Sequence, residues 1–316
     1  MTPIQRARAL AALLFTAVLA GNWDVWWHGA VGRDTFWEPP HILLYASILG
    51  AIIVAWHGWR RTTDRTWKRL CLLLLLSPLA APFDELWHRL FGVEPINSPS
   101  IIWSPPHLLL VFSIGMSAFT LFPLLAKDDS SADRQFFTSL SLASIFSTLL
   151  FLTVPIEPTG PFHLLGFAGA GVVAMMLACI LLLADRWMTG AVRSLPVMAI
   201  FLLLQSMTMH EGTAPGVNIQ PHDHSPQWLI IMSFLAAASV MDSSRGQPLI
   251  MRLGSAAFIW SAILYTFSPL FFLEAFQYGW TDTLIAIVAS MIGAVLVSMI
   301  FFLMRGIDRS SNREAS

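Results

Sequence analysis

Residues 39–61 read PPHILLYASILGAIIVAWHGWRR: two prolines, a long apolar run, and a pair of arginines. Proline is tolerated in the first turn of a helix, where its missing N–H has no intrahelical partner to lose. A run of about 20 mostly apolar residues is long enough to cross a bilayer as a helix. The closing arginines mark an end that stays in water. This segment therefore reads as a membrane-crossing helix, and the rest of the chain repeats its logic. The 316 residues are 56% apolar and only 12% charged, with mean hydropathy +0.66, well outside the range of a soluble domain.

The fold class expected is all-α, a polytopic integral membrane protein. Ten spans are placed, at about 8–28, 39–58, 69–91, 105–126, 136–155, 161–184, 194–210, 226–242, 251–273 and 282–304. All but two of the basic residues then fall on one side, the exceptions being Arg33 and Arg89. By the positive-inside rule both termini are expected in the cytoplasm of a bacterial-type inner membrane. A competing reading takes Arg6, Arg8 and ALAALLFTAVLAG as a signal peptide with a cleavage site near Ala20. Cleavage there would remove the helix that carries Asp24 and His28 and spoil the charge bias, so ten spans are preferred. Cys71 and Cys179 suggest neither a disulfide framework nor a thiolate metal site. No nucleotide loop or Ser-His-Asp arrangement stands out, and topology accounts for the basic residues without a nucleic-acid partner.

The polar groups collect on the opposite side. Eight of the nine histidines, His57 excepted, fall at outer helix ends or in outer loops, with eleven acids that include Asp24, Glu38, Asp84 and Glu211. An internal repeat underlies this: helices start back with EPPHILL at 38, SPPHLLL at 104, GPFHLLG at 160 and SPQWLII at 225, as in a row of helical hairpins. Residues 1–126 hold the first two hairpins, and residues 127–316 hold six further helices.

Each of the first two hairpins carries the same set. Asp24 and His28, like Asp84 and His88, are four apart and stack on one helix face. His41 and His107 begin the returning helices. Two nitrogens and one carboxylate then converge in each hairpin, a donor set that leaves positions open for water, dioxygen or substrate. Polar groups at membrane depth are costly and functional more often than not. The tryptophans around them read as an interfacial belt. A third cluster, His210, Glu211 and PHDHSP at 221–226 with His222, Asp223 and His224, is a weaker metal candidate. Glu157 with His163 is weaker again. Ligand type alone leaves copper, iron and zinc open.

The stretch DVWWHGAVGRDTFWEPPH at 24–41 resembles the signature of the C subunit of particulate methane monooxygenase and ammonia monooxygenase. It keeps Asp-x-x-x-His, a twelve-residue gap to the next histidine, and Arg33-Asp34-Thr35 in the loop. The second stretch resembles that family's other metal site, with Asp84 in place of an asparagine and a longer gap between His88 and His107. The resemblance covers about residues 22–112. It implies copper ahead of iron and zinc, partner subunits, and hydroxylation of a small apolar substrate from the bilayer with dioxygen. The alternative expectation is a copper-handling membrane protein without oxygenase activity.

Overall fold

Helices begin where a proline or a small polar residue precedes an apolar run, and the caps show why. Thr2 and Gln5 form a reciprocal capping box ahead of Pro3, satisfying donors that the first turn would otherwise leave open. Asp64 accepts from the Thr66 N–H at 2.9 Å and starts the third helix. The computed structural model describes residues 1–31, 37–92, 103–151, 163–205, 227–271 and 280–314. Among these every regular element is helical. They are α1 Pro3–Ala30, α2 Pro39–Arg61, α3 Arg65–Leu74, α4 Ser77–Phe91, α5 Pro105–Thr120, α6 Phe122–Leu125, α7 Ser131–Phe151, α8 His163–Trp187, α9 Ser194–Gln205, α10 Gln227–Ser243, α11 Leu249–Phe271 and α12 Trp280–Glu314.

Among the described residues seven segments are long and apolar enough to cross a membrane: Pro3–Trp27, Pro39–Arg61, Arg65–Phe91, Pro105–Leu125, Gly169–Trp187, Leu249–Phe267 and Trp280–Met304. The third is expected as one helix over 69–91. It starts earlier, at the Asp64 cap, and is interrupted at Leu75 and Leu76, just ahead of Pro78, which has no N–H to continue the ladder.

The chain divides into two compact units, Met1–Pro155 with Arg186–His224, and Ile156–Asp185 with Ser225–Ser316. In the first, α7 is the central helix. Residues 138–148 are buried without a break, although Thr138, Ser139, Ser141, Ser144, Ser147 and Thr148 are among them. Several hydroxyls return to their own helix, Ser144 to the Leu140 carbonyl at 2.7 Å and Thr148 to that of Ser144 at 3.0 Å. Such a helix packs closely against its neighbours without a lipid-facing apolar surface. Asn22 of α1, fully buried, donates to Ser147 Oγ at 3.1 Å, and Gln205 of α9 donates to the same oxygen at 3.0 Å. That link fixes the rotation of α1 two residues before Asp24.

In the second unit α8 and α12 approach closely. A β-carbon on Gly293 would lie 2.6 Å from the Gly171 carbonyl oxygen. Arg252 of α11 forks onto Asp185 with contacts of 3.0 and 3.1 Å.

The two ends of the first unit differ chemically. At one, Arg8 bridges Asp128 and Asp133, both at 2.7 Å, and Lys127 pairs with Asp64 at 2.8 Å. The Lys127 ammonium and the Thr66 donors hold the Asp64 carboxyl down to about 2. The Arg8 guanidinium holds Asp128 below the usual carboxylate range. The other end carries Asp24, Glu38, His41, Asp84, His88 and His107.

Candidate metal centre

The first hairpin brings its polar residues together where α1 ends and α2 begins. Asn22 anchors the last turns of α1, and Trp23 packs edge-on against Trp27, ring centres 5.9 Å apart, so Asp24 leaves the helix at a fixed azimuth. Glu38 occupies the position just before α2 with extended backbone, followed by Pro39 and Pro40, which seat His41 in the first turn. A carboxylate is favoured at a helix N-terminus by the peptide dipoles. Glu38 makes no side-chain cap, however, and is 5% exposed. It turns instead toward α1. Asp24, Glu38 and His41 each offer a ligand atom, and these three atoms lie within 4.8 Å of one another. The closest approach is Asp24 Oδ1 to His41 Nε2, 3.0 Å.

The chemistry of this set fits a divalent ion. Two carboxylates that close repel by about 3.5 kcal/mol at an effective dielectric of about 20. An imidazole next to one of them relieves little of this unless it is protonated, whereas a shared cation relieves all of it.

The second hairpin repeats the arrangement more openly. Asp84 Oδ1 stands 3.7 Å from His88 Nε2 on its own helix and 3.6 Å from His107 Nε2 at the start of α5. Those separations are too long for hydrogen bonds. Each separation by itself is close to that of two donors on one ion, but among the described residues the three atoms do not close to one cluster as those of Asp24, Glu38 and His41 do. Asp84 Oδ1 is buried and takes no hydrogen bond among the described residues. Ser104 Oγ bonds His107 Nδ1 at 2.9 Å, orienting the ring so that Nε2 faces Asp84, the kind of outer contact that sets a ligand's direction. Tyr45, one turn beyond His41, lies within electrostatic reach of both Asp24 and Asp84.

Of the six residues expected as ligands, five are thus brought into two groups at one end of the first unit. The backbone of His28 continues α1, while its side chain lies outside the described residues. So do His210, Glu211, His222, Asp223, His224 and Glu157, and the side chain of His163. Among the described residues only Asp24, Glu38 and His41 close to a three-atom cluster, and Glu38 was not an expected ligand. The signal for it lies in the repeat: EPPH at 38 and SPPH at 104 differ at the position before the prolines. Serine is a favoured cap there and glutamate is not. In both hairpins the residue three before the histidine turns back to its helical neighbour, Ser104 onto the ring of His107 and Glu38 beside His41.

No family model, no curated protein and no solved structure matches the chain.

Proposed function

We propose that the chain is a copper-dependent membrane monooxygenase, or a subunit of one, hydroxylating a small apolar substrate with dioxygen at paired centres near the outer face. The observation that supports this most directly is the convergence of Asp24 and His41, from different helices, to 3.0 Å with Glu38 alongside. A donor set that mixes imidazole with carboxylate suits redox-active first-row metals, and a reduced ion held by these residues would supply electrons to dioxygen. Asp24, Glu38 and His41 would hold one ion and Asp84, His88 and His107 the other. Ser104 would hold the His107 ring in orientation, and the Trp23–Trp27 ring pair flanks Asp24.

The topology that goes with this reading has ten spans in successive hairpins. It adds to the seven apolar segments the serine-rich α7 and the two short apolar helices α9 and α10. Both termini face the cytoplasm because the arginines and lysines gather at that end, and substrate enters from the bilayer. Further subunits of the monooxygenase type would complete the assembly.

The test is metal content and oxygen uptake of the purified chain in lipid nanodiscs, with a quinol as reductant, compared with His41→Ala and His107→Ala. Copper bound by the intact chain and lost from the variants, with substrate-dependent oxygen uptake, is the expected result. Unchanged metal content in both variants would refute the centre. Metal bound without any oxygen uptake would point to a copper-handling protein instead.

A further inference from the structure

We propose that the turn between α2 and α3 binds the headgroup of an anionic phospholipid. Arg60, Arg61, Arg65, Lys68 and Arg69 stand within ten residues of one another, at the end of the first unit opposite the candidate centre, and all five are exposed. None of them pairs with an acid among the described residues. Asp64, the acid within the turn, is taken by Lys127 at 2.8 Å and by the Thr66 N–H at 2.9 Å. Sorting of basic residues to one face of a membrane does not by itself leave them unpaired. At the same end of the unit, Arg8 is matched by Asp128 and Asp133.

Aromatic rings rather than carboxylates hold two of these cations. The Arg60 guanidinium lies over the Trp56 ring and the Lys68 ammonium over the Trp59 ring, each 5.8 Å from the ring centre. The two indoles meet edge-on with centres 5.2 Å apart. Trp67 of α3, 1% exposed, packs against Gly58 of α2 where no β-carbon would fit, so the two helices that carry the cations are locked together. A cation resting on a ring is positioned yet keeps N–H donors to spare. Phosphate oxygens accept from such donors, and from a guanidinium in pairs. Charge and donors are thus set out in advance, with no carboxylate to displace.

The neighbouring apolar surface selects a lipid over a soluble anion. On α2, Leu49, Ile53 and Trp56 are exposed on the face that ends at Arg60, and on the next helix Leu72 and Leu75 are exposed on the face that starts at Lys68. From Leu49 to Arg60 the helix rises about 16 Å, close to the roughly 15 Å of hydrocarbon in one leaflet. A phosphate at Arg60 therefore leaves its acyl chains lying along Trp56, Ile53 and Leu49. An acidic peptide would gain nothing from that stripe. Basic residues at headgroup height favour an anionic lipid by about fivefold each.

The experiment titrates the full-length chain in detergent with phosphatidylglycerol and, separately, with phosphatidylcholine of the same chain length, and reads bound lipid per chain by native mass spectrometry. Phosphatidylglycerol is expected to bind about tenfold or more tighter. Arg60→Gln combined with Lys68→Gln should remove about tenfold or more of that preference, and Trp56→Leu about two- to fivefold. Arg89→Gln combined with Arg186→Gln removes the same charge elsewhere and should leave it intact. Equal affinity for the two lipids, an undiminished preference in the Arg60/Lys68 variant, or an equal loss in the Arg89/Arg186 variant overturns the proposal. Displacement of the lipid by equimolar inorganic phosphate or by a polyglutamate peptide also overturns it, the first by showing a free-anion site and the second an acidic protein partner.

Discussion

Replacing Glu38 by glutamine should make the metal-free protein more stable and the metal-loaded protein less so, a reversal that follows from the spacing of the carboxylates. The ligand atoms of Asp24 and Glu38 lie within 4.8 Å, and the side chains are largely screened from water, Glu38 at 5% exposure and the Asp24 side chain at 20%. Coulomb repulsion at that separation is about 3.5 kcal/mol with an effective dielectric of about 20. The metal-free wild type carries that repulsion, which Glu38→Gln removes while the Asp24–His41 pair remains. Allowing for solvent near the helix ends, a gain of about 1–2 kcal/mol is expected, or roughly 2–4 °C in midpoint for a chain this long. With metal in hundredfold excess over its dissociation constant, the wild type gains about 2.7 kcal/mol by linkage, and the variant should gain far less. Thermal unfolding in detergent at one fixed scan rate, with chelator and with metal, reads both signs. A Glu38→Gln variant less stable than wild type in chelator would show that the two carboxylates do not oppose each other, and would sink the electrostatic account of the centre.

Three further perturbations test the frame around the site. A β-carbon on Gly58 would fall inside the contact radius of the Trp67 ring, which is 1% exposed and has nowhere to move. Gly58→Ala should therefore cost about 1–3 kcal/mol, and pairing it with Trp67→Leu should recover much of that in a double-mutant cycle. Asp185→Asn removes the charge that Arg252, with a side chain 8% exposed, forks onto. A loss of about 3 kcal/mol in unfolding free energy, read by denaturant titration, is expected, whereas replacing both residues by Leu and Met should be far milder. The carboxyls of Asp64 and Asp128 sit below their unfolded values. Their contribution to stability is thus complete above about pH 4 and fades as pH falls, for Asp64 through about 2. Lys127→Met should flatten the acid limb of a stability–pH profile only slightly, because the Lys127 side chain is 65% exposed. Arg8→Met should flatten it more, because Asp128 is 2% exposed.

The sequence shows the starts of α2 and α5 to the residue, because proline pairs at 39–40 and 105–106 can stand only in a first turn. It shows α1 and α3 less well. Both begin several residues before their apolar runs, at caps made by Thr2 and Asp64, and a reading by hydropathy passes over polar residues that a helix needs at its end. The interruption before Pro78 is hidden for the opposite reason: Leu75 and Leu76 are as apolar as their neighbours, so the run looks continuous although a donor is missing. The serine-rich α7 shows a further gap between hydropathy and burial. Its hydroxyls bond within their own helix or, as with Ser147, to a neighbouring helix, so a helix that composition ranks low becomes the centre of its unit.

At the candidate site, spacing alone is enough to pair Asp24 with His41 and Asp84 with His88 and His107, because a four-residue step and a first-turn histidine fix where those side chains emerge. Glu38 is not legible by the same rule. It belongs to no helical repeat, and its neighbours Pro39 and Pro40 explain themselves as a helix start. What places it is the conflict between its charge and its position. A glutamate that neither caps its helix nor faces water stands instead beside Asp24 of α1 and His41 of its own helix. Two carboxylates gathered with an imidazole point to a cation more strongly than histidines alone do. The repeat of two hairpins thus presents two unlike donor groups, one with two carboxylates beside an imidazole and the other with one carboxylate oxygen between two imidazoles.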